Sequence, residues 1–292
     1  FFSYLMDVNI YPNVISEIKK IGIPTANFSC NNIHQFYLTE EIAPFFDFNL
    51  HAEKNAKLMF ENIGANPIWF PMAANPKYYH KINAPFKYDV SFIGSEYAKR
   101  SNYIGNLLNN DVNVNVFGPG WEKKNNLKNI YKASKMLLSS NSEKQASYSA
   151  ELNQHFYVAN LTKKYNNNFN LPVSDLEMIS IFNQSKISLG FLEVFLNHDS
   201  SSLPLFHLHL REFEAPMCGA LYMTSYCDEL TEFYEPDKEI VLYKNDHELL
   251  SKVQFYLKNE NAANKIRELG YKRAQSEHTC HKRLKEVLMK IT

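Results

Sequence analysis

Short apolar runs alternate along the chain with stretches whose apolar residues recur every three or four positions, the signature of strands and helices laid down in turn. Apolar runs at 2–6 and 23–28 flank a helical pattern at 13–20. Two strands joined through a helix form a βαβ unit, which implies a parallel sheet. Further strands are predicted at 45–50 and 67–70, with a helix over 51–62 between them. Prolines at 71, 76 and 85 interrupt regular structure, which places a boundary near 72–88 and divides the chain into units over 1–80 and 81–292.

The second unit repeats the alternation. A strand at 88–93 closes on Gly94 and Ser95 and leads into a helix at 99–109; a strand at 112–117 ends at Gly118-Pro119-Gly120-Trp121. Residues 122–170 are polar, rich in Asn, Ser and Lys, and read as a helical insertion or lid with no clear strand. Beyond them the pattern predicts a helix at 174–184, a strand at 186–191, a polar loop at 197–202 and a helix at 209–218. A strand at 220–224, a helix at 227–233, a strand at 239–243 and helices at 246–258 and 261–290 close the chain. The class is α/β, two units with parallel sheets facing across a cleft. The chain opens with Phe1 inside an apolar run, so the first unit is expected to be incomplete.

Composition narrows the function classes. With 45% hydrophobic residues and 31 basic against 31 acidic side chains, the chain has ample core and no global field to attract nucleic acid. An anion site must therefore be local. No apolar stretch reaches a membrane span and no signal peptide is visible. The four cysteines, Cys30, Cys218, Cys227 and Cys280, lack metal-type spacing and fit reduced thiols, so a cytoplasmic location is expected. His207 with His209, and His278 with Cys280 and His281, have no second ligand pair at recognisable spacing, and no metal is expected.

The run 211–221 (REFEAPMCGAL) carries the most specific chemistry. It reads as a helix ending at glycine with a strand directly behind it. A carboxylate early in such a helix can bind ribose hydroxyls, and the helix N-terminus offers free N–H groups to a diphosphate. The ordered motifs 89–95 (DVSFIGS) with Arg100, 185–189 (SKISL), 211–216 (REFEAP), 238–240 (KEI) and 277–279 (EHT) with Arg283 resemble the CgeB-type branch of the GT-B glycosyltransferases, group 1, over about residues 88–290. The resemblance implies two Rossmann-like domains and transfer of a hexosyl or N-acetylhexosaminyl group, without metal or cofactor, from a UDP-, GDP- or dTDP-sugar. The acceptor would be a glycan, a lipid-linked group or a protein, and peripheral membrane contact is compatible with the second of these.

Carried over position by position, Glu214 matches the ribose-binding glutamate, and Gly219 and Ala220 follow it into the next strand. Eight residues upstream, where the broader family places a glutamate near the transferred sugar, this chain has Phe206. The turn holding Gly94, Ser95, Lys99 and Arg100 matches the one that neutralises the departing diphosphate, with Lys186 and Arg211 as further cations, Gly118 in a phosphate-side turn and Trp121 as a base-stacking candidate. Asp7, at the end of the first predicted strand, is the candidate general base. Two other functions suit the same architecture: nucleotide-sugar 2-epimerisation, and nucleotide or sugar binding without catalysis.

Overall fold

The computed structural model describes residues 1–122, 134, 142–195 and 204–291. Residues 123–133 and 135–141 of the expected insertion, and the polar loop expected at 197–202, lie outside them. The N-terminal sheet is parallel, with neighbouring strands β1 (Phe2–Ser3), β2 (Ala26–Ser29), β3 (Phe48–His51) and β4 (Pro67–Trp69) in that order. The connecting helices are α1 (Pro12–Lys19), α2 (Asn32–Gln35) and α3 (Lys57–Asn62). The first strand is shorter than its apolar run because the side chain of Asn27 takes over the backbone beyond it. Its Oδ1 accepts from Leu5 N–H at 2.9 Å and its Nδ2 donates to Leu5 O at 3.0 Å. The helix expected over 51–62 likewise starts late, after a 3-10 turn at Lys54–Ala56.

The C-terminal sheet has six parallel strands. Chain order begins in the middle, at β5 (Tyr88–Ile93), and moves outward through β6 (Val114–Phe117) to β7 (Phe169–Asn170). It then crosses back to β8 (Ser185–Leu189) on the other side of β5 and continues through β11 (Tyr222–Ser225) to β12 (Val241–Tyr243). Between them, β9 (Glu193–Val194) and β10 (Leu205–Phe206) form a small antiparallel hairpin. The helices are α4 (Arg100–Asn109), α5 (Ser142–Lys164), α6 (Asp175–Asn183), α7 (Arg211–Met217), α8 (Asp246–Lys258), α9 (Glu260–Glu277) and α10 (Cys280–Ile291). The reversal between β5 and β8 opens a crevice beyond their carboxyl ends, the position where doubly wound sheets bind ligands.

Helices cover both faces of this sheet, so the centres of its inner strands are buried. Val90, Phe92, Val116, Ile187 and Leu221 pack with Ile104, Leu107 and Trp121; Phe213, Met217, Tyr234 and Ile240 form the second core. The serines of the 89–95 and 185–189 motifs are structural. Ser185 Oγ donates to Ile181 O at 2.5 Å and lies 2.8 Å from Ser91 Oγ, and Ser91 meets Ser188 at 3.3 Å. These bonds satisfy hydroxyls that burial would otherwise penalise. At the entry to α6, Ser174 and Glu177 form a capping box.

Four expectations are corrected here. The stretch expected to lack a strand contributes β7, whose Phe169 packs on Trp121 at 5.4 Å between ring centroids. The helix predicted at 227–233 is a 3-10 turn, Glu229–Glu232. The hairpin of β9 and β10 was not anticipated. The closing helix breaks at His278, which is buried and whose Nε2 lies 2.8 Å from Phe233 O. That break frees backbone for the linker: Ala74 N donates to His278 O at 3.1 Å, and Cys280 N donates to Ala74 O at 3.0 Å. No helix among the described residues is long and apolar enough to cross a membrane.

Gly118 sits at φ +153°, and a Cβ there would stand 2.2 Å from Gly94 O. Gly118→Ala is expected to lower the unfolding free energy by about 1–3 kcal/mol, measured by urea denaturation; an unchanged midpoint would show that the two turns can separate freely.

Candidate functional site

A crevice of about 390 Å³ opens at the switch point, within the size range of small-molecule sites. Its floor is Gly94 and Ser95 after β5 and Gly190 and Phe191 after β8; one wall is 207–212, leading into α7; Cys30, Asn31 and Met72 close it from the N-terminal unit and the linker. Gly190 is required by space. A Cβ there would meet Tyr222 Oη at 1.9 Å, and the Gly190 carbonyl accepts from Tyr243 Oη at 3.1 Å.

Two guanidinium groups face this space. Arg100, at the start of α4, donates from Nη1 to Ser95 O at 3.1 Å and from Nη2 to Phe191 O at 3.4 Å. It also lies over the rings of Phe92 and Tyr97 at 5.6 and 5.7 Å. Burial lowers its pKa from the ordinary arginine value, yet a guanidinium stays charged in any protein site. Arg211 opens α7 and pairs through Nη1 with Glu214 Oε2 at 2.6 Å. The Nε atoms of both arginines are buried with no hydrogen-bond partner among the described residues. Two cations at one crevice, each with a buried Nε that lacks a partner among the described residues, favour an anion with several acceptor oxygens.

Of the sequence candidates, Gly94, Ser95, Arg100 and Arg211 line this crevice. The others do not. Glu214 is 3% exposed and stands behind Arg211, held by that arginine and by the Tyr79 hydroxyl; the carboxylate expected to bind ribose instead orients a crevice cation. Lys99 is exposed beside the turn. Lys186 pairs with Asp89 at 2.6 Å near the amino ends of β8 and β5, the wrong edge of the sheet for a diphosphate. Asp7 caps a turn, accepting from Ile42 N–H at 3.1 Å and Glu41 N–H at 3.3 Å, and is no free base.

Trp121 is 1% exposed, and its Nε1 donates to Gly94 O at 2.9 Å, which makes it the post between two turns and not an open stacking surface. Gly118 serves the same close approach. Gly219, at φ +76°, terminates α7 and places Ala220 in the core. Gly118, Gly120 and Trp121 also border a second hollow, about 880 Å³, with 169–172 and α5. It lies beyond the ends of β6 and β7, next to the crevice.

The sequence reading missed Gly190, Glu212 and Tyr222, and took His207 and His209 only as a rejected metal pair. The His207 and His209 rings are 4.1 Å apart, and His34 of the N-terminal unit lies 5.1 Å from His207. Among the described residues no group of three or more His, Cys, Asp or Glu side chains is placed to hold a metal ion. The imidazole of His207 is pushed down to about 4, by burial first and by His34 second. Its Nδ1 is 3.0 Å from Leu208 O and 3.6 Å from Oε1 of Glu53, across the unit boundary. A repeat of polar residues between apolar ones, as in 206–212, was the only available signal.

Comparison with known proteins places these features. A family model described as glycosyl transferase-like matches residues 150–289, and no curated protein matches the chain. Among solved structures, HepE of Anabaena, in complex with UDP and glucose, aligns with a TM-score of 0.62 at 11% identity, over 95% of this chain and 74% of that one. A glycosyltransferase from Rickettsia africae aligns at 0.60 and 12% identity, over 96% and 79%. Sucrose-phosphate synthase from Thermosynechococcus elongatus aligns at 0.54 and 13%, over 86% of this chain. The chain spans 59% of that synthase's length. These likenesses establish the architecture: two Rossmann-like units in the GT-B arrangement, with a glycosyl transferase-like region over residues 150–289.

Glu53 gives a stability test of the unit boundary. It is 2% exposed, and burial pushes its carboxyl up to about 7 despite the Asn32 N–H at 3.0 Å. The folded state therefore holds a proton that the unfolded chain releases near the ordinary value of about 4.5. The stability tied to this group is present below that value and is lost as pH rises through about 7. Glu53→Gln should be more stable than wild type at pH 8, by up to about 3 kcal/mol, with the advantage gone near pH 4.5; urea denaturation at the two pH values checks it.

Proposed function

We propose that this chain transfers a sugar from a nucleoside-diphosphate-sugar to an acceptor hydroxyl, with the diphosphate held between Arg100 and Arg211. The observation that carries the reading is the pair of guanidinium groups facing one crevice at the switch point, each with a buried Nε lacking a hydrogen-bond partner among the described residues. As the glycosidic bond breaks, negative charge grows on the departing diphosphate. Cations already fixed in place stabilise that charge without a metal and without reorganising at the moment of reaction.

The nucleoside then extends from the crevice into the adjoining hollow at the ends of β6 and β7. The turns containing Gly94 and Gly118, in contact with each other, form the wall shared by the two spaces. The sugar lies toward His207 and His209, and the acceptor enters from the side of Cys30, Asn31 and Met72. UDP is the preferred nucleotide, since HepE has the same architecture and binds UDP and glucose. Nothing at the crevice favours a hexose over an N-acetylhexosamine. The ordered motifs over 88–290 support the CgeB-type branch, and the absence of a spanning helix among the described residues is compatible with work at the cytoplasmic side.

One observation favours a second reading, binding without transfer. Phe206 occupies the position where the resembled family has its first glutamate, and it is 39% exposed on β10, outside the crevice. Release of nucleoside diphosphate from the donor in the presence of candidate acceptors separates the two readings.

In a thermal-shift panel of UDP, GDP and dTDP, UDP is expected to stabilise the chain most, by about 2.7 kcal/mol at a hundredfold excess over the dissociation constant. Arg100→Met should weaken UDP binding about tenfold or more, the worth of charge-assisted hydrogen bonds. The same substitution should leave the melting point without nucleotide within a few degrees. Absence of a shift with all three nucleotides would remove the proposal.

A further inference from the structure

Glu212 is the buried group of the crevice that the transfer reaction described above does not use. It is the second residue of α7 and is 1% exposed. Oε1 accepts from the Tyr222 hydroxyl at 2.7 Å, and Oε2 accepts from the backbone N–H of His209. Among the described residues it makes no ion pair with a lysine or arginine; its nearest charged-type partner is His209 Nδ1 at 3.9 Å. The groups facing it come from every neighbouring element: Arg100 at the start of α4, Arg211 on its own helix, Tyr222 on β11, Tyr234 behind the 3-10 turn, and His209 in the loop before α7. Burial keeps His209 neutral, so the positive charge opposite this carboxylate is that of Arg100 and Arg211.

Those are the same two cations that would hold a diphosphate. An anion in the crevice places negative charge beside the carboxylate and at the same time occupies the groups that stabilised it. Both effects disfavour the ionised form. We propose that Glu212 takes up a proton when a nucleoside diphosphate enters the crevice, so that donor binding is coupled to protonation of a buried positioning residue. This rests on the nucleoside-diphosphate reading of the crevice given above.

The proton comes from solvent and no covalent bond changes. Once protonated at Oε1, Glu212 donates to the Tyr222 oxygen, the tyrosine hydrogen turning out of that contact, so the bond that joins them reverses its direction. Oε2 keeps its contact with the His209 N–H, so the wall of the crevice stays in place while its charge disappears. Burial already raises this carboxyl to about 7 in the empty crevice, which places the exchange near neutral pH, where a modest further rise has its largest effect.

The test is calorimetric titration of UDP into the 292-residue chain at pH 7 in two buffers of different ionisation enthalpy, with wild type, Glu212→Gln and Tyr222→Phe. Wild type is expected to absorb about half a proton per UDP bound, the fraction of Glu212 ionised when it titrates at about 7. Glu212→Gln should show only the exchange of the nucleotide's own terminal phosphate, which with a pKa of about 6 releases a small fraction of a proton on binding to cations, and that contribution is common to all three proteins. Between pH 7 and 8.5 wild-type affinity should fall severalfold, while the Gln variant stays level. Tyr222→Phe, which removes a hydrogen bond to the ionised form, should move the uptake to higher pH and keeps the proposal testable should Glu212→Gln not fold. Equal proton uptake in wild type and Glu212→Gln, or an uptake unmoved in Tyr222→Phe, overturns the coupling while leaving the nucleotide site intact. Absence of UDP binding in wild type overturns the site itself.

Discussion

The desolvated guanidinium of Arg100 is the constraint around which the site is organised. A full charge has been drawn out of water to the ends of β5 and β8, and its compensation is incomplete. Two carbonyl oxygens and two aromatic faces hold it in position, while its Nε has no partner among the described residues. Dipoles and ring quadrupoles return only part of the hydration a cation loses, so the crevice has an unmet demand for negative charge. Burial raises the Glu212 carboxyl to about 7, and the charge of Arg211 works against that rise. The raised carboxyl and the under-bonded arginines thus share one crevice.

What surrounds the crevice keeps those strand ends in register. The bonded serines of β5 and β8 lock the two central strands together. Trp121 and Gly118 hold the turn after β6 against the turn after β5. Tyr222 and Tyr243 brace Gly190 from below. Positional tolerance at a reacting centre is small, since a displacement of about 1 Å in a positioning group costs orders of magnitude in rate. Gly118 and Trp121, first read as donor-site residues, stand among the supports of the crevice's turns.

The two units meet through polar contacts as well as apolar ones. Lys54 pairs with Glu232 at 2.6 Å, and its backbone N–H donates to Glu229 at 3.2 Å. Glu53 approaches His207, and Trp69 packs on Phe233 at 5.8 Å between ring centroids. The break at His278 ties the closing helices to Ala74 in the linker. An interface built of hydrogen bonds and ion pairs can rearrange at modest cost.

The amino-acid sequence by itself determined the layering of this protein. Alternation of apolar runs with helical periods, punctuated by prolines at 71, 76 and 85 and glycines at 94, 118 and 219, is a local property, and it was enough for the parallel sheets, the two units and the turn bearing Arg100. Ordered motifs added the GT-B arrangement. Tertiary structure alone decided which side chains meet. Glu214 and Lys186 have the right chemistry at the right spacing, but one is turned toward Arg211 and the other lies at the far edge of the sheet. Glu212, His207 and Gly190 looked ordinary along the chain because their roles depend on strands far apart in sequence. Periodicity reports which face of an element is buried; it carries no information on how a sheet reverses direction between β5 and β8, and that reversal is what makes the crevice.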